Sequence, residues 1–209
     1  MNLEQLLQAA VHRSDLAEVD AQFTAIGVST GEGFVRLKGA ILTLANVADF
    51  EPTIRPTYKE LPEPSVIIKP LQSNLAFCKY LRNKFVGHIH PTLLSKAIEW
   101  QPILTQAPCY LENQNFLVAL NLWLLETAIN TYVDGEGNHK IFDGETDLMY
   151  PPDWRRFVDF LGDTIRGTFE YLSLLNSLWA PKLTLQVPAE FNLELAIRSG
   201  QTEFRFLAQ

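Results

Sequence analysis

A helical bundle closed by a small C-terminal β-hairpin is the fold this sequence predicts, and three observations predict it. Apolar residues recur at spacings of three and four through most of residues 1–180, the period of a helix that buries one face. The period then changes to two, first in Leu183-Thr-Leu-Gln-Val, which is the alternation of a half-buried strand. The composition, 47% hydrophobic and 20% charged in 209 residues, supplies one good-sized core. Residues 1–180 therefore read as one helical domain, and residues 181–209 as a hairpin packed on it.

Each element follows from local signals. Leu3, Leu6, Leu7, Ala10 and Val11, then Leu16, Val19, Phe23 and Ile26, have helical spacing, which predicts one or two helices with Ser14 available as an N-cap between them. Ser29-Thr30-Gly31-Glu32-Gly33 reads as a turn, followed by a long helix over 34–50. Pro52, Pro56, Pro62, Pro64 and Pro70 each remove a backbone donor, so 51–70 reads as a connector. Helices are then expected over 71–88, over 92–103 with Pro102 cutting it short, over 113–132 and over 153–179, the last capped by Asp153. The tail alternates over 183–187, 191–197 and 202–206 around Ser199-Gly200, which predicts the hairpin.

Charge and cysteine content exclude whole classes. Seventeen Lys plus Arg against 24 Asp plus Glu give a formal charge of −7, so nucleic acid could be met only through a local basic patch. Two cysteines, Cys78 and Cys109, do not make a disulfide scaffold and read as free thiols. The first 20 residues lack a basic start followed by an apolar run, which makes the cytoplasm the expected location. The most membrane-like stretch, 116–129, is broken by Asn121 and Glu126 and is shorter than the roughly 20 apolar residues a span needs, so no membrane contact is expected.

The stretch that calls for chemistry is Leu81-Arg82-Asn83-Lys84-Phe85-Val86-Gly87-His88-Ile89-His90. In an ideal helix, Leu71, Cys78, Leu81 and Ile89 fall within about 40° of Phe85 and form a buried stripe. Arg82 and His88 then border that stripe about 60° to either side, about 9 Å apart along the axis. A guanidinium holds a phosphate and stabilises developing negative charge. A neutral imidazole takes the proton from a ribose 2′-hydroxyl, and a second histidine across a two-fold axis can protonate the leaving oxygen, with no metal required. Residues 65–98 contain no Asp or Glu but carry Lys69, Lys79, Arg82, Lys84 and Lys96, so a basic segment hides within an acidic average. Lys79 and Lys84 are the candidate RNA contacts beside the motif.

Arg82-Asn83, four residues, then His88 resembles the signature of the HEPN family, the higher eukaryotes and prokaryotes nucleotide-binding domain. The wording Leu-Arg-Asn-Lys-Phe-Val-Gly-His looks most like its abortive-infection and uncharacterised bacterial branches. The resemblance is sharp over about ten residues and architectural over the other helices. It implies a helical bundle, a homodimer with paired motifs facing one cleft, and metal-independent RNA cleavage with no cofactor, as in a toxin or phage-defence effector with an antitoxin or other protein partner. Arg82 and His88 would be catalytic and Asn83 supporting. Some members are inactive and only bind nucleotides or partners, and that reading stands as the alternative.

Blander readings stand beside these. Arg82 can lay its stem along the core edge and pair with a carboxylate, with Asp49, Glu51, Glu60 and Glu63 as candidates. His88 can be a last-turn histidine favoured by the helix dipole, and His90 before Pro91 reads as a turn residue. The acidic loop 134–145 superficially resembles a calcium loop, but its sixth position is His139 and not the required glycine, so it reads as a solvated loop. Most tryptophans read as core. Arg155 and Arg156 adjoin Trp154 at a helix start, where positive charge opposes the dipole. A solvated face, an interface or a phosphate contact would each account for them.

Overall fold

The computed structural model describes residues 1–25, 31–184 and 192–201. Among them the architecture is helical. α1 (Leu3–Ala25) and α2 (Gly31–Ile54) pack on each other and on α7 (Pro151–Thr184), the 34-residue helix that runs through the fold. α4 (Gln72–Leu81) lies against α2, and α6 (Gln114–Asn130) touches both. Short α3 (Glu63–Ile68) seats on α7, and α5 (Pro91–Trp100) on α6. The core joins Phe34, Ile41, Leu44 and Phe50 of α2 to Phe77 and Leu81 of α4, Ile129 of α6, and Phe157, Ile165 and Tyr171 of α7. Full burial of each such side chain contributes about 1.5–3 kcal/mol.

Three expectations need correction. First, α1 runs without interruption through Ser14, and Gly31–Gly33 already belong to α2. Second, the proline-rich connector is a chain of short helical pieces: α2 continues through Pro52, and 3₁₀ turns at Arg55–Lys59 and Lys69–Leu71 flank α3. Pro56, Pro64 and Pro70 sit at the first or second position of their segments, where an N–H has no helical partner in any case. Third, residues 193–197 of the expected hairpin are helical, within α8 (Leu193–Gly200). The Asn192 side chain accepts the Leu195 N–H at 3.1 Å and caps a run of good helix formers. Residues 183–184 of the expected first strand are the end of α7, and residues 185–191 and 202–206 lie outside the described residues; among the described residues no strand occurs, and only an isolated bridge pairs Val133 with His139.

Gly167 lets the Leu71 side chain approach α7 closely. A Cβ at this position of α7 would lie 2.9 Å from Leu71 Cδ1. The two cysteines are unpaired, and burial pushes the Cys78 thiol up to about 12. No helix of the described residues is long and apolar enough to cross a membrane.

A buried polar clasp fixes the α2 end against α7. Glu51, 3% exposed, pairs with Arg55 at 2.5 Å, and the Tyr58 hydroxyl reaches both Glu51 (3.3 Å) and the Tyr171 hydroxyl (2.6 Å). Burial raises both phenols, so they act here as neutral hydrogen-bonding groups.

Candidate functional site

The motif begins where α4 ends. Arg82–Val86 form one π-helical turn in place of the expected continuation to residue 88. The Gly87 N–H donates to the Arg82 carbonyl at 2.8 Å, and the His90 N–H to the Lys84 carbonyl at 3.0 Å, so each turn is wider than an α-turn. Single π-turns are frequent at functional sites. Gly87 permits this one: a Cβ there would stand 3.2 Å from the Arg82 carbonyl oxygen.

The early stop divides the expected stripe. Cys78, Leu81 and Phe85 are buried as the spacing implies, whereas Leu71 is half-buried and Ile89 is 42% exposed. Arg82 is half-buried at the edge of the core, but His88 lies beyond the helical turns and is exposed. The two therefore do not flank one helical face in the ideal manner.

Arg82 is held from two directions. Its Nη1 donates to Asp49 Oδ2 of α2 at 2.6 Å, and its Nε donates to Asn83 Oδ1 at 3.1 Å. Among the described residues Nη2 has no partner. Asp49 also receives Lys79 at 2.5 Å. Burial raises the Asp49 carboxyl, but the hydrogen bonds and charges of Lys79 and Arg82 outweigh it and leave the group below the usual carboxylate range. Of the four acids near α2 in sequence, the packing of α2 on α4 selects Asp49.

The other candidates separate. Asn83 is exposed and faces Arg82 Nε, a local support that the ideal helix did not show. Lys84 is half-buried, with its Nζ 5.9 Å from the Tyr80 ring centroid. Among the described residues no hydrogen bond or ion pair engages the His88 ring, and its ring neighbour is His90 at 6.1 Å. His90 itself is the N-cap of α5: Nδ1 accepts the Thr92 N–H at 3.3 Å and lies 2.7 Å from its hydroxyl.

Sequence reasoning missed Lys38. From α2 it donates to Asn121 of α6 at 2.7 Å and stands 4.5 Å over the Phe85 ring, and burial lowers its pKa. An isolated lysine among apolar residues was its only sequence signal. His139 was also missed as a structural centre. Its Nε2 bonds the Ile129 carbonyl at 2.9 Å while Nδ1 accepts the Ile141 and Phe142 N–H groups at 3.0 and 2.9 Å.

Among the described residues no group of three His, Cys, Asp or Glu side chains converges as a metal site would. No protein-family model, no curated protein and no solved structure matches this chain.

Proposed function

We propose that this chain is a metal-independent endoribonuclease of HEPN type that works as a homodimer. The observation that carries the reading is the state of Arg82: Asp49 and Asn83 orient its guanidinium while Nη2 stays without a partner, on a π-turn that leads to an exposed His88. An oriented guanidinium with a spare N–H edge suits a phosphate oxygen. An imidazole engaged by no protein group suits proton transfer.

In this mechanism Arg82 holds the scissile phosphate and His88 takes the 2′-hydroxyl proton. The 2′-oxygen attacks phosphorus, the bond to the 5′-oxygen breaks, and His88 of a second copy protonates that leaving oxygen. Lys79 and Lys84 add positive charge for RNA, and Asn83 steadies Arg82. A toxin or phage-defence role, restrained by an antitoxin or another protein, accords with this chemistry.

The test is incubation of wild-type protein, Arg82→Ala and His88→Ala with a structured RNA in chelator, with oligomeric state read in parallel. Wild-type cleavage leaving 2′,3′-cyclic phosphate ends is expected, with a loss of about 10²–10⁴ in each variant while circular dichroism is unchanged. Equal cleavage by all three, or a strictly monomeric active protein, would falsify the reading.

One observation favours a second reading, a catalytically silent nucleotide-binding or interaction module. Asp49 offsets the charge of both Lys79 and Arg82, which weakens the field an incoming phosphate meets. No cleavage by a well-folded dimer that still binds nucleotide or a partner would select it.

A further inference from the structure

Beyond the motif, two lysines flank a pair of tyrosines in one connected series of contacts. Lys84 Nζ lies 5.9 Å from the Tyr80 ring centroid, the Tyr80 and Tyr132 rings are 4.8 Å apart, and Lys140 Nζ stands 5.1 Å over Tyr132. Lys140 then lines a cavity of about 900 Å³ together with Arg155 and Arg156 at the start of α7. The path therefore links the motif end of α4 to a second cationic site, whose wall includes Ser73 and Asn74 from the opposite end of that helix.

The side chains along it are held in place. The Tyr80 hydroxyl donates to the Thr131 carbonyl or hydroxyl, at 3.1 and 3.0 Å, and Tyr132 packs on Phe77 with centroids 4.9 Å apart. Arg156 is fixed over the Phe142 ring at 5.1 Å, bonds Thr146 and pairs with Asp153 at 3.3 Å. Arg155 and Lys140 are exposed, and among the described residues neither has an ion-pair partner. The cavity's acids are Asp159 and Asp163, and Asp163 is taken up by Arg166 at 2.5 Å. In a chain of net charge −7, two cations without ion pairs, Lys140 and Arg155, against one such acid among the described residues, Asp159, leave this end of the lysine–tyrosine path net positive.

We propose that this path binds single-stranded RNA, carrying the strand from the Arg82–His88 motif past Tyr80 and Tyr132 to the cavity of Arg155 and Arg156. The inference rests on the ribonuclease reading for its substrate class. Cations flanking aromatic rings suit an unpaired strand, whose phosphates meet the cations and whose base faces are open to stacking. A duplex keeps those faces inside its own stack.

The test separates binding from cutting. Fluorescence anisotropy is measured with a short 2′-O-methyl oligonucleotide, which has no 2′-hydroxyl proton to lose, and with the duplex of the same length. Expected is a Kd at least about tenfold weaker for Lys140→Glu/Arg155→Glu and for Lys84→Glu, with a salt slope shallower by about 1.4 in the double variant. Lys182→Glu, about 40 Å along α7 from Arg155, changes the same charge and is expected to bind as wild type. No binding by wild type, equal affinity in the path variants, an equal loss in Lys182→Glu, or a duplex bound as tightly as the strand overturns the proposal. RNA cleavage assayed on the same proteins tells the two failures apart. Cleavage that persists without the affinity pattern removes the path alone, and the affinity pattern without cleavage removes the nuclease reading alone.

Discussion

Two histidines, His88 and His139, stand in regions that differ in almost every physical respect. His139 is half-buried against Phe77 and Phe142, and it uses both ring nitrogens on backbone groups of Ile129, Ile141 and Phe142. His88 is exposed after the π-turn, with no hydrogen bond among the described residues. A histidine whose donor and acceptor are both committed organises a loop, whereas one with neither committed can exchange protons with a ligand. Residue type does not separate the two, and only the contacts of each ring distinguish the committed histidine from the uncommitted one.

The largest effect expected from this contrast is in folding stability. His139→Ala strands two backbone N–H groups and removes three ring contacts, with Phe77, Tyr132 and Phe142, so it is expected to cost about 2–4 kcal/mol in urea unfolding. His88→Ala is expected to stay within about 0.5 kcal/mol of wild type. Equal costs would break the comparison.

A smaller effect is expected with pH. Burial lowers the His139 pKa, and the Arg156 charge adds to this against the opposing bond to Ile129; burial also lowers His12, against the attraction of Asp15. A folded state that binds fewer protons than the unfolded chain is at full strength above the ordinary imidazole value of 6.5 and weakens as pH falls below it. The urea midpoint is therefore expected to drop between about pH 7.5 and about pH 5.5, and His139→Gln to flatten part of that drop. A midpoint that does not move over this range would contradict the committed role of His139.

Around the motif, function is expected to respond more than stability. Asp49→Asn disrupts a partly exposed pair, its carboxylate side chain being 43% exposed, so its cost is expected to be under about 1 kcal/mol. Cleavage is expected to fall by about tenfold as Arg82 loses its orientation. Smallest is Gly87→Ala. Its φ of −74° suits alanine, so only the 3.2 Å approach to the Arg82 carbonyl opposes it. A loss of cleavage of a few fold with unchanged unfolding would tie the π-turn to activity, and unchanged cleavage would make the turn incidental.

The long helices were legible because each carries a repeating apolar face. Phe34, Leu37, Ile41 and Leu44 lie at spacings of three and four and are all buried. The tail misled for a physical reason: Leu193-Glu-Leu-Ala-Ile-Arg alternates like a strand, yet Asn192 caps it and Leu, Glu, Ala and Arg favour helix. At the site, Arg82-Asn83 and His88 were visible as a motif, and Asp49 as one of four acids. The π-turn was not legible, because an unbroken 100° rotation assumes the geometry that the turn alters.

The sequence by itself determined a mainly helical chain, the buried stripe of α2, two thiols that stay unpaired and a basic segment within an acidic whole. These follow from local periodicity and composition, which need no knowledge of what lies across the fold. Only the tertiary structure decided that Asp49 meets Arg82 and Lys79, that Lys38 crosses to Asn121 and Phe85, and that Lys140 joins Arg155 and Arg156 around one cavity. Each of these contacts joins residues far apart in the chain, and its partners are chosen by how helices and loops pack, information that no local window of residues contains.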